Sequence, residues 1–244
     1  MLILPRRLNP DPLVSSTVEI RFEPLLDRKA VIGAIYYQLR EQFPKLEPMV
    51  PEDMPESVRS SIPDFAYRPQ FRASNDQFML YLAEQSLTIG VVGTYPGWDN
   101  FSNVIQRVFA EIKALNVFNE IQRIGLRYVS FFDGNALAGL KMQLQLPGYN
   151  GSQLPSSVLM RLPATGCEHT LQLANFIDYS QASGQPSETE RLGTVVDIDT
   201  MPQQAAVDFF ERPSYWLNLL HEAEKTLFYS LLTDDFLRTL NPEY

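Results

Sequence analysis

The sequence predicts an α+β fold of two lobes, each built from an antiparallel sheet and covering helices. Several short segments alternate strictly between apolar and polar residues, which is typical of half-buried strands. Three longer segments repeat apolar residues at three- and four-residue spacing, which is typical of amphipathic helices. The chain of 244 residues is long enough for two lobes of ordinary size, and we expect them at residues 1–134 and 135–244.

The first lobe begins with a strand and a helix. Polar and apolar residues alternate over residues 17–23, and a helical pattern follows from Asp27 to Phe43. Six prolines lie within residues 44–69. Because proline lacks the N–H group that a strand contributes to its neighbour, we predict no regular strand there and at most one short helix, at residues 56–61.

Hairpin strands, a second helix and a final strand complete the first lobe. Their predicted positions are strands at residues 71–73, 78–82 and 87–92, a helix at 99–115 and a strand at 121–132. The resulting order is β-α-β-β-α-β with one extra hairpin strand. That order predicts a ferredoxin-like layer, in which two helices cover one face of an antiparallel sheet.

The second lobe is predicted to be an antiparallel sheet beneath one long C-terminal helix. Its strands are expected at residues 140–146, 157–162, 170–179 and 194–199. Residues 180–190 are small and polar, and they predict a mobile hairpin loop. The helix over residues 214–232 carries a broad apolar stripe. Since this lobe contains no other predicted helix of that length, we expect the stripe to cover the sheet.

A short tail, residues 233–244, follows the long helix. It contains three large apolar or aromatic residues, Phe236, Leu240 and Tyr244. They either lock the two lobes together or form a docking site for a partner protein. Deletion of the tail separates these hypotheses, because a lock is needed for folding and a docking site is not.

Composition narrows the classes of partner. Twenty basic and twenty-nine acidic residues give a net charge of −9, which repels phosphate backbones and favours a protein partner over nucleic acid. We expect no membrane association and a cytoplasmic location, since no apolar run approaches the roughly 20 residues that cross a bilayer and no signal peptide is evident.

The chain contains few cysteine and histidine side chains that could bind a metal ion. One cysteine, Cys167, excludes an intramolecular disulfide, and two histidines leave little material for a metal site. We therefore expect no metal and no cofactor. Cys167 and His169 could be a thiol and its base, but an inert thiol near a turn is the simpler interpretation. His221 lies in a predicted helix that lacks the second histidine of a zinc-binding motif. We therefore expect His221 to be a histidine at the edge of the core and not a metal ligand.

Carboxylates and arginines on strands suggest two further sites. Asp197 and Asp199 share one strand face, as in some magnesium sites, but alternation alone explains a polar face. Arg21, Arg123 and Arg127 are expected on one sheet face, where they could bind a carboxylate, a nucleotide or an acidic peptide. Cross-strand pairing of these arginines with glutamate is the alternative.

Three stretches resemble a known family: Val18-Glu-Ile-Arg-Phe-Glu-Pro, Arg123-Ile-Gly-Leu-Arg-Tyr-Val-Ser, and Leu220-His-Glu-Ala-Glu-Lys with the terminal Phe236-Leu-Arg-Thr-Leu-Asn-Pro-Glu-Tyr. Together they resemble a sporadically distributed bacterial family of about this length whose function is uncharacterised. The resemblance implies an accessory gene of a defence, toxin–antitoxin or mobile-element system. It implies no catalytic residues.

Taken together, the sequence predicts a non-enzymatic interaction protein of an accessory bacterial system. Its partner is expected to be a protein that it neutralises or regulates, such as the product of a neighbouring gene. One alternative is a small-ligand or nucleotide sensor, or an enzyme of unrecognised type, with a pocket between the lobes. Another is a structural module that works by self-association.

Overall fold

The structure is a computed structural model, and it describes residues 4–50, 61–62, 64–142, 145–150, 154–184 and 191–244. The described residues form an α+β protein with an antiparallel sheet of nine strands and a long C-terminal helix. Their α-helices are α1 (Arg28–Leu39), α2 (Trp98–Lys113), α3 (Tyr179–Ser183), α4 (Pro213–Leu231) and α5 (Asp234–Thr239).

The strands are β1 (Leu13–Pro24), β2 (Lys45–Pro48), β3 (Phe71–Ser74), β4 (Phe78–Leu82), β5 (Ser86–Val91), β6 (Phe118–Asp133), β7 (Gln145–Leu146), β8 (Tyr149–Asn150), β9 (Ser157–Ala164), β10 (Cys167–Asp178) and β11 (Leu192–Pro202). In the large sheet they lie in the order β2-β3-β4-β5-β1-β6-β11-β10-β9, and β7 pairs with β8 in a separate ribbon. Strands β2 and β9 are therefore the two outer strands of the large sheet.

The chain forms two compact units whose bounds differ from those of the predicted lobes. The inner unit contains Thr17–Gly125 and Pro202–Asn218, and the terminal unit contains Met1–Ser16, Leu126–Met201 and Leu219–Tyr244. Strands β1 and β6 and helix α4 each contribute residues to both units. A boundary within continuous strands and a helix cannot be found from the composition of linkers, since there is no linker at that point.

Alternating burial builds the core of the inner unit. The side chains of Val18, Ile20 and Phe22 on β1 are fully buried, as the sequence predicts for one face of a strand. Helix α2 buries a stripe at three- and four-residue spacing, formed by Phe101, Ile105, Val108, Phe109 and Ile112. Helices α1 and α2 contact each other. Both helices and the strands around them confirm the elements predicted for this part of the chain.

The core of the terminal unit joins the sheet to the C-terminal helix. Leu171 of β10 and Val196 of β11 belong to one buried cluster with Phe228 of α4 and with Leu232, the residue after α4. Helix α4 confirms the predicted C-terminal helix within one residue at each end. Its apolar stripe is part of the core in this unit.

Strand β2 shows that one prediction for the proline-rich segment is wrong. Lys45–Pro48 pairs with β3, from Lys45 opposite Ser74 to Pro48 opposite Phe71. The strand is tolerated because it is an outer strand and its proline is the last residue, where a missing N–H removes little. The predicted helix at residues 56–61 falls almost wholly on residues outside the described ranges.

Two predictions for the second lobe also need correction. Leu140 makes only an isolated bridge to Leu232, and Gln145–Leu146 pairs with β8, so the described part of residues 140–146 adds no strand to the large sheet. The side chain of Leu140 is buried in the core cluster, which explains its apolar character without a strand.

The predicted loop at residues 180–190 begins as helix α3. The carboxylate of Asp178 accepts a hydrogen bond from the backbone N–H of Ser180 at 2.9 Å and caps this helix. The ring of Tyr179 packs against Phe131 at 5.2 Å between centroids. These contacts order the start of the segment, and residues 185–190 lie outside the described ranges.

Candidate functional site

Two of the three arginines singled out in the sequence meet in the inner unit. The Oε1 atom of Glu19 accepts hydrogen bonds from Nε of Arg21 and from Nη1 of Arg123, each at 2.7 Å. The three side chains are partly buried. The Arg–Glu pairing considered as an alternative is thus present here, and it holds two guanidinium groups at a single carboxylate.

The neighbours of this arginine cluster fix the orientation of its side chains. Gly125 leaves the space that the Arg123 guanidinium occupies, since a β-carbon at Gly125 would lie 2.7 Å from both Nη atoms. The guanidinium carbon of Arg21 lies 4.6 Å from the ring centroid of Tyr67, a cation–π contact. Ser86 donates a hydrogen bond from its hydroxyl to the carbonyl of Tyr67 at 3.0 Å, which helps to hold that residue in place.

Arg127 belongs to the terminal unit and has a different partner. Its Nε and Nη2 atoms donate to the two carboxylate oxygens of Asp197 at 2.8 and 2.6 Å. Asp199 lies opposite Arg127 in the register of β6 and β11. The two aspartates that could begin a magnesium site therefore flank an arginine. A bidentate pair of this kind is well oriented and charge-assisted.

The tail residues proposed for partner binding are placed in different environments. Phe236 packs on Phe132 at 5.3 Å between ring centroids, and both Phe236 and Leu240 lie against the core cluster of the terminal unit. Tyr244 is 71% exposed. The tail is therefore docked on its own unit through Phe236 and Leu240, and Tyr244 is the member of the three that faces solvent most.

Cys167 and His169 are both buried in the terminal unit. Burial raises the pKa of the Cys167 thiol, which disfavours the thiolate that a nucleophile needs. The Nδ1 atom of His169 lies 2.8 Å from the hydroxyl oxygen of Thr200, and burial lowers the pKa of this histidine. The geometry favours a hydrogen-bonded core histidine beside an inert thiol.

His221 has the position predicted for a histidine at the edge of the core. The hydroxyl oxygen of Tyr128 lies 3.3 Å from its Nδ1 atom. Burial, with a smaller effect from the charge of Lys225, lowers the pKa of His221 to about 3. The imidazole is therefore neutral at pH 7.

Glu224 is a buried carboxyl group that the sequence analysis did not single out. Its side chain is on α4, the residue is only 3% exposed, and burial raises its pKa to about 8 against the attraction of Lys225. Leu220 and Phe228 lie four residues before and after it. That spacing puts Glu224 on the buried stripe, and this signal could have identified it.

Three exposed apolar residues, Leu154, Leu159 and Phe176, lie at or beside the first half of strand β9, and we call them together the β9 edge surface. Leu159 is 67% exposed, Leu154 is 46% exposed, and β9 is an outer strand of the sheet. The sequence predicted a strand here, but strand order is decided by tertiary pairing. The exposed position of β9 was therefore missed.

Phe176 has an unusual backbone conformation at the end of β10. Its φ is 56°, a left-handed value that is strained for a bulky residue, and the residue is 40% exposed. The neighbouring Asn175 side chain accepts a hydrogen bond from the backbone N–H of Ser156 at 2.6 Å, which ties this strand end to the start of β9. Strained residues cluster at active and binding sites, so Phe176 is a candidate contact residue.

Two other features, a metal-binding cluster and a membrane-spanning helix, are absent from the part of the chain that the structure describes. Among those residues, histidine, cysteine, aspartate and glutamate form no group of three or more that could hold a metal ion. No described helix combines the length and the apolar character that crossing a membrane requires.

The fold and the surface define an α+β protein built on an antiparallel sheet with an exposed outer strand. Comparison of the sequence with models of known protein families and with curated proteins finds no match.

Proposed function

We propose that the protein is a non-enzymatic interaction component, which binds a partner protein at the β9 edge surface and regulates or neutralises it. The observation that carries this proposal is the exposure of Leu159 on an outer strand. Two more exposed apolar residues, Leu154 and Phe176, lie at the same end of β9. Exposed apolar residues at an outer strand support a contact site there.

The edge of β9 supports a particular mode of binding. An outer strand presents backbone N–H and C=O groups to which an extended segment of a partner can add as a further strand. Arg161 and Pro163 are exposed on the second half of β9, and charges and prolines disfavour such pairing. The partner segment is therefore expected to align with the first half, around Leu159.

The proposed setting is an accessory bacterial system, as the family resemblance implies. In such systems, the partner is often the product of a neighbouring gene, and we propose that source here. The acidic chain, with a net charge of −9, supports a partner of basic overall charge, because complementary charge speeds the encounter of two proteins.

A ferredoxin-like core in the inner unit is part of the same proposal. The strand order β4-β5-β1-β6, with a helix after β1 and another after β5, supports it. Strands β2 and β3 are then an addition at the outer side of β4. We do not propose a ferredoxin-like core for the terminal unit.

Binding to the product of the adjacent gene tests the proposed surface. Leu159→Asp and Phe176→Ser should each weaken the affinity about tenfold or more, the effect of removing a contact worth about 1.4 kcal/mol. Val207→Asp is the matched control, since Val207 is 69% exposed and belongs to the inner unit. Equal affinities of all three variants and the unmodified chain, measured by calorimetry, would exclude the β9 edge surface.

Self-association is the other form of this function. A second copy of the chain could add its own β9 to the same edge. Light scattering on the purified protein distinguishes the two forms: a dimer that Leu159→Asp converts to a monomer supports self-association. A monomeric unmodified chain that binds the neighbouring product supports a different partner.

The arginine cluster favours a second candidate function, a sensor of a small anionic ligand. Arg21 and Arg123 are held side by side, and guanidinium groups recognise carboxylates and phosphates. A thermal-shift panel of nucleotides and dicarboxylates tests it, because a ligand that binds only the folded chain raises its melting temperature. A shift that Arg21→Ala removes supports the sensor, and a panel without any shift argues against it.

A further inference from the structure

The backbone groups of β9 have a known direction along the whole strand. The N–H of Asn175 donates to the carbonyl of Ser156 at 3.1 Å, and the register of β9 and β10 continues this pairing up to Ala164 opposite Cys167. In an antiparallel pair, the N–H and C=O groups of every second residue point toward the neighbouring strand. Those of the even-numbered residues of β9 therefore point toward β10. Those of the odd-numbered residues point to the outer side of the sheet.

Pro163 agrees with this direction. Its nitrogen carries no hydrogen and points to the outer side, so the pairing of β9 with β10 loses no hydrogen bond. Pro155, just before the strand, is odd-numbered as well, and each proline is four residues from Leu159. Between the two prolines, the outer side presents the N–H groups of Ser157, Leu159 and Arg161, and the prolines supply no donor at either end.

This arrangement of donors is symmetric about Leu159, so the strand fits an antiparallel copy of itself. When Leu159 lies opposite Leu159 of a second copy, Ser157 lies opposite Arg161, and Pro155 lies opposite Pro163. Each outer N–H group between the prolines then meets an outer carbonyl group. The positions without a donor face each other at the two ends of the ladder, where they do not interrupt it.

Charge and apolar contact favour this register over its neighbours. Registers centred on Met160 or Arg161 bring the two copies of Arg161 together, and like charges that face each other destabilise a strand pair. In the register centred on Leu159, the two arginines are about 14 Å apart along the strands. The two Leu159 side chains, each 67% exposed in the single chain, instead contact each other.

The charge of this edge also suits a second copy. The chain carries a net charge of −9, which makes most contacts between two copies repulsive. Residues 154–164 contain no aspartate or glutamate, and Arg161 is their one charged residue. Two copies can therefore meet at β9 without bringing acidic segments together.

We propose that the occupant of the β9 edge surface is a second copy of this chain, whose β9 pairs with the first in antiparallel fashion about a twofold axis at Leu159. Such an interface uses the same residues on both copies, as is usual in symmetric dimers. The inference rests on the proposed function, because it takes the same contact surface and names its occupant. A segment of another protein would need the same outer backbone groups, so it would compete with the second copy.

A proline substitution tests the backbone pairing by light scattering and sedimentation. Arg161→Pro removes an N–H group that points away from β10, so the chain should fold but dimerise at least about tenfold more weakly, since each copy loses one hydrogen bond. Arg161→Ala is the matched control, because it keeps the N–H group and should dimerise at least as tightly as the unmodified chain does. Circular dichroism checks that both variants are folded.

Disulfide formation tests the register without relying on the proline variant. Residues opposite each other in a hydrogen-bonded pair have Cα atoms about 5.5 Å apart, within the range that a disulfide spans. Leu159→Cys should therefore form a disulfide between copies under mild oxidation. Ser157→Cys alone should not, but a mixture of Ser157→Cys and Arg161→Cys chains should. Val207→Cys, at an exposed position of the inner unit, is the control that should stay reduced.

The outcomes separate this inference from the proposed function. A monomeric unmodified chain, a dimer that Arg161→Pro leaves unchanged, or a dimer that forms no disulfide through Leu159→Cys overturns the inference. If a monomeric chain binds the product of the neighbouring gene and Leu159→Asp weakens that binding, the inference fails and the proposed function stands. If the predicted disulfides form and no neighbouring product binds, the inference stands and the proposed protein partner is excluded.

Discussion

The ring of Phe236 lies directly over Gly139 in the terminal unit, and a β-carbon at Gly139 would overlap the ring carbons. The N–H of Thr233 donates to the carbonyl of Gly139 at 2.9 Å, so backbone and side chain hold the tail at the same place. The side chain of Thr233 accepts a hydrogen bond from the N–H of Phe236 and caps α5. Gly139 is therefore the point at which the tail docks on the rest of the terminal unit.

Gly139→Ala should destabilise the protein by about 1–3 kcal/mol, because the added methyl group must displace the Phe236 ring. Gly33→Ala on α1 is a matched control, since a β-carbon there meets no atom within 4 Å. That change should stabilise α1 by roughly 0.5–1 kcal/mol, as alanine is the better helix former. Urea denaturation measures both values. Equal stability of Gly139→Ala and the unmodified chain would show that the tail does not depend on close packing of Phe236 against Gly139.

The Arg127–Asp197 pair should respond unequally to loss of its two members. The Asp197 side chain is 12% exposed and the Arg127 side chain is 55% exposed. Arg127→Ala leaves a mostly buried carboxylate without this partner and should cost about 2 kcal/mol. Asp197→Ala leaves an arginine that water and the neighbouring Asp199 can satisfy, so it should cost about 1 kcal/mol or less. A double-mutant cycle by urea denaturation measures both, and a larger cost for Asp197→Ala would refute this reasoning.

Cys167 should react slowly with thiol reagents in the folded protein. Its thiol is buried and its pKa is raised, so both access and thiolate are reduced. Labelling at pH 7 should be at least about 100-fold slower in the folded chain than in urea, because the thiol must first be exposed by opening. Rapid labelling of the folded chain would contradict this prediction and would support a nucleophilic cysteine.

Global stability should depend on pH through two groups of α4. The pKa of Glu224 is about 8 in the folded chain against an ordinary 4.5, so the folded state holds more protons between these values. The free energy of unfolding should then fall, by up to about 1.4 kcal/mol per pH unit, as pH rises from 4.5 to 8. The pKa of His221 is about 3 against an ordinary 6.5, so this group makes stability rise between pH 3 and pH 6.5.

The two contributions oppose each other between pH 4.5 and pH 6.5, and only the decline remains from pH 6.5 to pH 8. Glu224→Gln should remove that decline and leave the rise on the acid side. Chemical denaturation at a series of pH values checks both slopes. If the free energy of unfolding of Glu224→Gln still falls between pH 6.5 and pH 8, another group causes the decline.

Local patterns in the sequence determined the secondary structure of much of the chain. Alternation around Ile20 predicted a half-buried strand, and the stripes of α2 and α4 predicted two amphipathic helices, because side-chain periodicity depends only on backbone geometry. Length and spacing even indicated where α4 begins and ends. These features are properties of neighbouring residues, so one sequence is enough to find them.

Tertiary structure decided which strands lie at the edges, where the tail docks and which polar groups are buried. Lys45–Pro48 is a strand because β3 pairs with it, and β9 is an outer strand because no described strand pairs with its other side. Glu224 has a raised pKa because the folded chain closes over it. Pairing, docking and desolvation join residues far apart in the sequence, and their free energies arise only in the folded chain.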